Sequence, residues 1–116
     1  MTLQDDLSRL KHIRDACSEA LQFMANQTKD DLENNRMLAL SLVKELEIIG
    51  EAANNISAEC QSRHPHIPWG DMIGMRNRLV HAYFGNNYDR VWQTVTDNLP
   101  FLLQEIINII VQESNI

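Results

Sequence analysis

Leu38-Ala39-Leu40-Ser41-Leu42-Val43-Lys44-Glu45-Leu46-Glu47-Ile48-Ile49-Gly50-Glu51-Ala52-Ala53-Asn54-Asn55-Ile56 is the stretch on which the reading of the fold turns. Leu38, Leu42, Leu46, Ile49, Ala53 and Ile56 recur at steps of 3 or 4, the stripe of an amphipathic helix, and Val43 and Ile48 broaden it. Gly50, Ala52 and Ala53 put small side chains in mid-helix. A glycine there costs about 1 kcal/mol relative to alanine, so the spacing predicts a second helix crossing closely at this point. A break is expected near Asn34-Asn35, and an end near Arg63-His64, because Pro65 and Pro68 disfavour helix in the residues before them.

Upstream, Leu3, Leu7, Leu10, Ile13, Cys17, Leu21 and Met24 form another helical stripe, with Thr2 as its expected N-cap. Asn26-Gln27-Thr28 interrupts it and supplies a new cap. Downstream, Pro68 to Ile73 reads as a short helix with proline in its first turn. Gly74 is then expected to redirect the chain into a further helix, Met75 to Phe84, closed by Gly85-Asn86-Asn87. The last helical region, Tyr88 to about Glu113, contains Pro100, where a kink is expected. Beyond it lie Phe101, Leu102, Leu103, Ile106, Ile107, Ile109, Ile110 and Val111. That apolar surface is too broad for a helix with one solvent face, and self-association is the expected remedy. No stretch alternates with period two. The fold class is therefore all-α, an antiparallel bundle of four to six helices forming one domain over residues 1–116.

Bulk properties narrow the function classes. The chain has 116 residues with 16 acidic against 10 basic side chains, a net charge of −6, and only 4 glycines and 3 prolines. Such a composition fits one globular domain and argues against an all-β fold with its many turns. No apolar run is long enough to span a bilayer, and the acidic start, Met1 to Asp6, does not read as a secretion signal. Cys17 and Cys60 are expected to be reduced thiols of a cytoplasmic protein. The negative charge speaks against non-specific nucleic-acid binding, which depends on basic side chains against phosphates.

That average conceals an asymmetry. Residues 30–60 carry seven acids and two bases, whereas residues 61–90 carry Arg63, Arg76, Arg78 and Arg90 against Asp71 and Asp89. His64, His66 and His81 lie in the same segment, giving a basic, titratable region within an acidic domain. On a helical wheel at about 100° per residue, Arg76 falls among Leu79, Val80 and Tyr83 on the apolar face. Asn77 and His81, four residues apart, share one edge. A buried arginine needs a partner or a wet cleft. One solution is a structural ion pair from Arg76 to Glu47 or Glu51. The other is a cleft, completed by a second copy, in which Arg76 stabilises phosphoryl charge and His81 moves protons.

Four blocks carry a resemblance: Glu47 to Ala53, Ile67-Pro68-Trp69, Gly74 to Phe84, and Tyr88 to Trp92 with Leu99-Pro100. Together they make the chain similar to the HepT-like branch of the HEPN superfamily, all-helical toxins of prokaryotic toxin–antitoxin pairs. The resemblance implies a ribonuclease in which Arg76 and His81 are the catalytic pair and Asn77 supports them, with Arg78 a candidate contact to RNA phosphate. The implied reaction needs neither metal nor cofactor: the ribose 2′-hydroxyl attacks, leaving a 2′,3′-cyclic phosphate and a 5′-hydroxyl. It also implies a homodimer and an antitoxin, an MntA-type minimal nucleotidyltransferase that AMPylates Tyr83. An added AMP would obstruct the cleft and repel RNA. The alternative within the same resemblance is an inert module that binds a nucleotide or the nucleotidyltransferase. A metal site at Cys60, His64 and His66 is disfavoured, since Arg63-His64-Pro65-His66 reads as a helix end and no CxxC pair accompanies it.

Overall fold

The computed structural model describes residues 3–85 and 87–115; the side chains of Leu3, Gln4, Leu79, Val80, Ala82, Tyr83 and Phe84 lie outside the description. The elements in chain order are α1 (Leu3–Met24), α2 (Lys29–Asn34), α3 (Arg36–Asn54), α4 (Ala58–Arg63), α5 (Trp69–Phe84), α6 (Tyr88–Gln93), a π turn (Thr94–Asn98) and α7 (Leu99–Ser114). The chain from Tyr88 to Ser114 is continuously helical, so the bundle has six helical bodies, and there is no strand among the described residues.

The breaks arise from local hydrogen bonding. Asn26 takes up the left-handed conformation (φ 62°) just past α1, a position asparagine tolerates better than most residues. Thr28 then opens α2 with a capping box: its hydroxyl accepts from the Asp31 amide at 3.1 Å, and its own amide donates to the Asp31 carboxylate at 2.8 Å. Asn35 closes α2 through its amide to Asp31 O (2.9 Å) and opens α3 by accepting from the Leu38 amide (3.1 Å). A further break at Asn55 to Ser57, not anticipated from the stripe, separates α3 from α4. Ser57 caps α4 at the Cys60 amide, and its hydroxyl and amide donate to the buried Asp6 at 2.6 and 2.8 Å.

Those Asp6 bonds join the start of α1 to the end of α3, so the two helices run antiparallel. Leu10, Ile13 and Cys17 of α1 meet Leu42, Leu46 and Ile49 of α3 in the core, with Leu99, Ile106 and Ile109 of α7 on the other side. The expected close crossing is present. A Cβ at Gly50 would lie 3.1 Å from the carbonyl oxygen of Met72 and 3.4 Å from that of Ile73, so α3 and α5 approach backbone to backbone.

Two expectations are corrected. Gly74 does not redirect the chain: residues 69–84 are one helix, in which Gly74 has open space around it apart from the Arg78 side chain. The disturbance expected at Pro100 lies one turn earlier. The Leu99 amide reaches back five residues to Thr94 O. This wider turn relieves the clash a proline ring makes with the carbonyl four residues before it, so α7 starts with Pro100 in its first turn.

Candidate functional site

Helix α5 is anchored at its first turn, where the buried Trp69 indole donates to His64 O at 3.0 Å. Trp69, Met72 and Met75 are buried among its described side chains. Arg76, Asn77, Arg78 and His81 are all exposed. The wheel placed Arg76 inside the apolar face; the structure places it outside. At the Gly50 crossing the two backbones are too close for a long side chain between them, and the Arg76 amide itself would lie 3.7 Å from a Cβ at Gly50. The flexible arginine stem carries its charge out to water instead. No ion pair joins Arg76 to Glu47 or Glu51; Glu47 pairs with Lys44 at 3.9 Å. Tyr83, the expected modification site, is in α5, but its side chain lies outside the described residues.

Within one chain, Arg76, Asn77 and His81 stand along the exposed side of one helix. A groove of about 700 Å³ between α5 and the arm made by α6, the π turn and α7 is lined by Arg78 and by neither Arg76 nor His81. Arg78 bends back along its own helix, its Nη1 3.4 Å from the Asp71 carboxylate while Nη2 donates to the Asp71 carbonyl oxygen. Across the groove stands Arg90, which belongs in sequence to the basic segment and to the Tyr88 to Trp92 block and was not among the expected site residues. Thr94, Asp97 and Asn98 of the π turn line the same wall.

The basic segment is therefore not one patch. Arg63 forks onto Glu113, with Nη2 to Oε1 at 2.6 Å and Nε to Oε2 at 3.0 Å, and the buried His64 ring nitrogen lies 2.7 Å from Oε2. Hydrogen bonds from Arg63, opposed by burial and aided by His64, pull the Glu113 carboxyl down to about 2. His66 is exposed and pairs with Glu105 at 3.1 Å, so it does not join Cys60 and His64. Glu113 does, and the ligand atoms of Cys60, His64 and Glu113 lie within 4.8 Å of one another. These residues do not fit a metal as arranged. Glu113 accepts from Arg63 and His64, and burial, with the Glu113 and Asp6 charges, pushes the Cys60 thiol up to about 12. The cluster is a hydrogen-bonded clasp between α4 and the end of α7. A carboxylate at position 113, four residues after Ile109 and seven after Ile106 on the buried stripe, was the sequence signal for it.

Glu45, like Asp6 and Glu113, is a buried acid, 7 % exposed, and its Oε2 lacks a hydrogen-bond partner. Burial, then the neighbouring Glu19, raises it to about 7. It lines a hollow between α1 and α3 with Phe23, Met37 and Leu40, away from α5.

Comparison with known proteins follows this geometry. The family profile described as Ribonuclease HepT-like matches residues 13–109. Putative RNase TTE0752 of Caldanaerobacter subterraneus subsp. tengcongensis is 34% identical over 104 residues, covering 90% of this chain and 93% of that protein. Putative RNase MJ1380 of Methanocaldococcus jannaschii is 31% identical over 106 residues, 91% of this chain and 97% of its own length. Probable ribonuclease HepT of Thermococcus cleftensis is 36% identical over 89 residues, 73% of this chain and 81% of its own. No solved structure matches. The all-helical bundle and the match across 13–109 together establish that the chain belongs to the HepT-like ribonuclease family of the HEPN superfamily.

Proposed function

We propose that this protein is the toxin of a toxin–antitoxin pair, a cytoplasmic endoribonuclease that cuts RNA without a metal. The observation that carries the reading is the joint exposure of Arg76, Asn77 and His81 on one helix of a HepT-like chain. None of the three is tied into the ion pairs of the described residues. His81 moves the proton: as base it takes it from the ribose 2′-hydroxyl, and as acid it returns one to the departing 5′-oxygen. Arg76 offsets the charge that builds on the phosphorane oxygens. Asn77, one helical turn before His81, orients the ring. The cleft forms between two copies, because one chain brings its three groups to an open surface and a two-fold axis would set two such surfaces face to face.

Control falls to a minimal nucleotidyltransferase of the MntA type, which transfers AMP to the Tyr83 hydroxyl and releases pyrophosphate. The anion so placed, two residues from His81, repels RNA phosphate.

The deciding experiment incubates protein purified without its partner with RNA in EDTA and identifies the product ends. Cyclic phosphate and 5′-hydroxyl ends are expected, lost in Arg76→Ala and His81→Ala. Cleavage that survives in both variants refutes the assignment. Intact-mass measurement after co-expression is expected to show added AMP on the wild type and none on Tyr83→Phe.

A further inference from the structure

The groove of about 700 Å³ between α5 and the α6–π–α7 arm is not absorbed by the chemistry of Arg76 and His81. Its floor is apolar, with Met72 and Met75, and its rim holds Phe101, 64 % exposed. An aromatic ring left in water beside an arginine-bearing hollow is the combination on which single-stranded bases stack. Arg78 stands on one wall and Arg90 on the other. Arg90 has no ion-pair partner among the described residues, and Arg78 is steadied by Asp71 with guanidinium donors to spare.

Position links this groove to the proposed chemistry. Arg78 and His81 are three residues apart on α5, neighbours on one edge separated by roughly 4.5 Å of helix rise. A strand whose scissile phosphate lies at His81 would reach the groove with an adjacent nucleotide. The opposite wall is the π turn, a helix defect common at functional sites, which presents Thr94, Asp97 and Asn98 to the hollow. With Asp71 and Asp97 balancing the two arginines, the groove has no net charge. It is therefore poorly suited to holding phosphate alone and needs the base as well.

We propose that this groove is a subsite for one unstacked nucleotide of single-stranded RNA flanking the scissile phosphate. Its base stacks on Phe101 over the methionine floor, and its phosphate lies between Arg78 and Arg90. The proposal rests on the ribonuclease reading above. Asp97 and Asn98 are placed to meet the base edge, so the subsite favours bases with an exocyclic amine.

The test measures cleavage of a single-stranded oligoribonucleotide by the wild type, Arg90→Gln and Phe101→Ala, with the same oligonucleotide carrying an abasic site next to the cut. Loss of one stacked base or one phosphate contact is expected to raise KM roughly tenfold with kcat within about twofold. The abasic penalty should be present in the wild type and absent in Phe101→Ala. Both side chains are exposed, so thermal unfolding of the variants should match the wild type. An abasic penalty of equal size in the wild type and Phe101→Ala overturns the proposal. So does an unchanged KM accompanied by loss of self-association in Phe101→Ala, which would make the groove a contact between copies. Persistent cutting by His81→Ala would instead refute the ribonuclease reading. If the wild type does not cut, fluorescence anisotropy of the same oligonucleotide decides: weaker binding in Arg90→Gln and Phe101→Ala supports the subsite, and equal binding overturns it.

Discussion

Arg63 and Glu113 form a two-point ion pair, at 2.6 and 3.0 Å, that ties the end of α4 to the last turn of α7. Glu113 is 1 % exposed, and the same carboxylate takes the buried His64. Removing one member of such a group leaves the others desolvated and unmatched. Glu113→Gln is expected to destabilise the fold by roughly 3 kcal/mol in urea titrations at pH 7. Because the native carboxyl is pulled down to about 2, its contribution is complete above the ordinary carboxylate range and lost as pH falls toward 2. The gap between wild type and variant should narrow steadily below about pH 4.5. A gap independent of pH would contradict the assignment.

Glu45 has the opposite sign. Its carboxyl is raised to about 7, so the native state holds a proton there that the unfolded chain releases above the usual carboxylate range. Stability from this group is present in acid and lost as pH rises through neutrality. Glu45→Gln should therefore be more stable than the wild type at pH 8, by at most about 3 kcal/mol, and level with it near pH 4.5. Parallel melting curves from pH 5 to pH 8 would show that the charge is not buried in solution.

Gly50 and Gly74 are both mid-helix glycines, yet they should respond oppositely to alanine. At Gly50 the new Cβ meets a main-chain oxygen at 3.1 Å, and α3 and α5 must part by a few tenths of an ångström. Gly50→Ala is expected to cost about 1–2 kcal/mol despite its better helix propensity. Gly74→Ala meets only the Arg78 side chain at 3.9 Å and is expected to gain about 0.5–1 kcal/mol. Denaturant midpoints that move the same way in both would refute the close crossing.

Helix α7 buries Leu99, Leu102, Ile106 and Ile109 but leaves Ile107 and Val111 in water. In the proposed homodimer that edge is covered by the second copy. Ile107→Asp should then yield a monomer by light scattering while keeping its helical circular dichroism. A wild-type mass equal to one chain would remove this prediction's basis.

Much of this architecture is legible in the sequence. The stripe of α1, the break at Asn35, the stripe of α3 and the crossing at Gly50 follow from helical spacing and from side chains that bond their own backbone, while the expected Thr2 cap lies outside the described residues. Such interactions span a few residues, so they are written locally. Arg76, Asn77 and His81 are likewise picked out by spacing along one helix, whereas membership of the family rests on the match across residues 13–109.

What only the tertiary structure decided is where those groups face. The wheel put Arg76 in the apolar face, but the Gly50 crossing leaves no room between α3 and α5, and its side chain goes to water. Arg63 and His64 leave the basic segment because Glu113, about 50 residues away in sequence, lies beside them. The groove joining Arg78 to Arg90 exists because α6 packs on α5 while α7, beyond the π turn, lies along α1. The stretch from Leu38 to Ile56 determined that a bundle forms and where it closes tightly. Burial and charge pairing depend on contacts distant in sequence, so the shape of the exposed α5 surface awaited the packed chain.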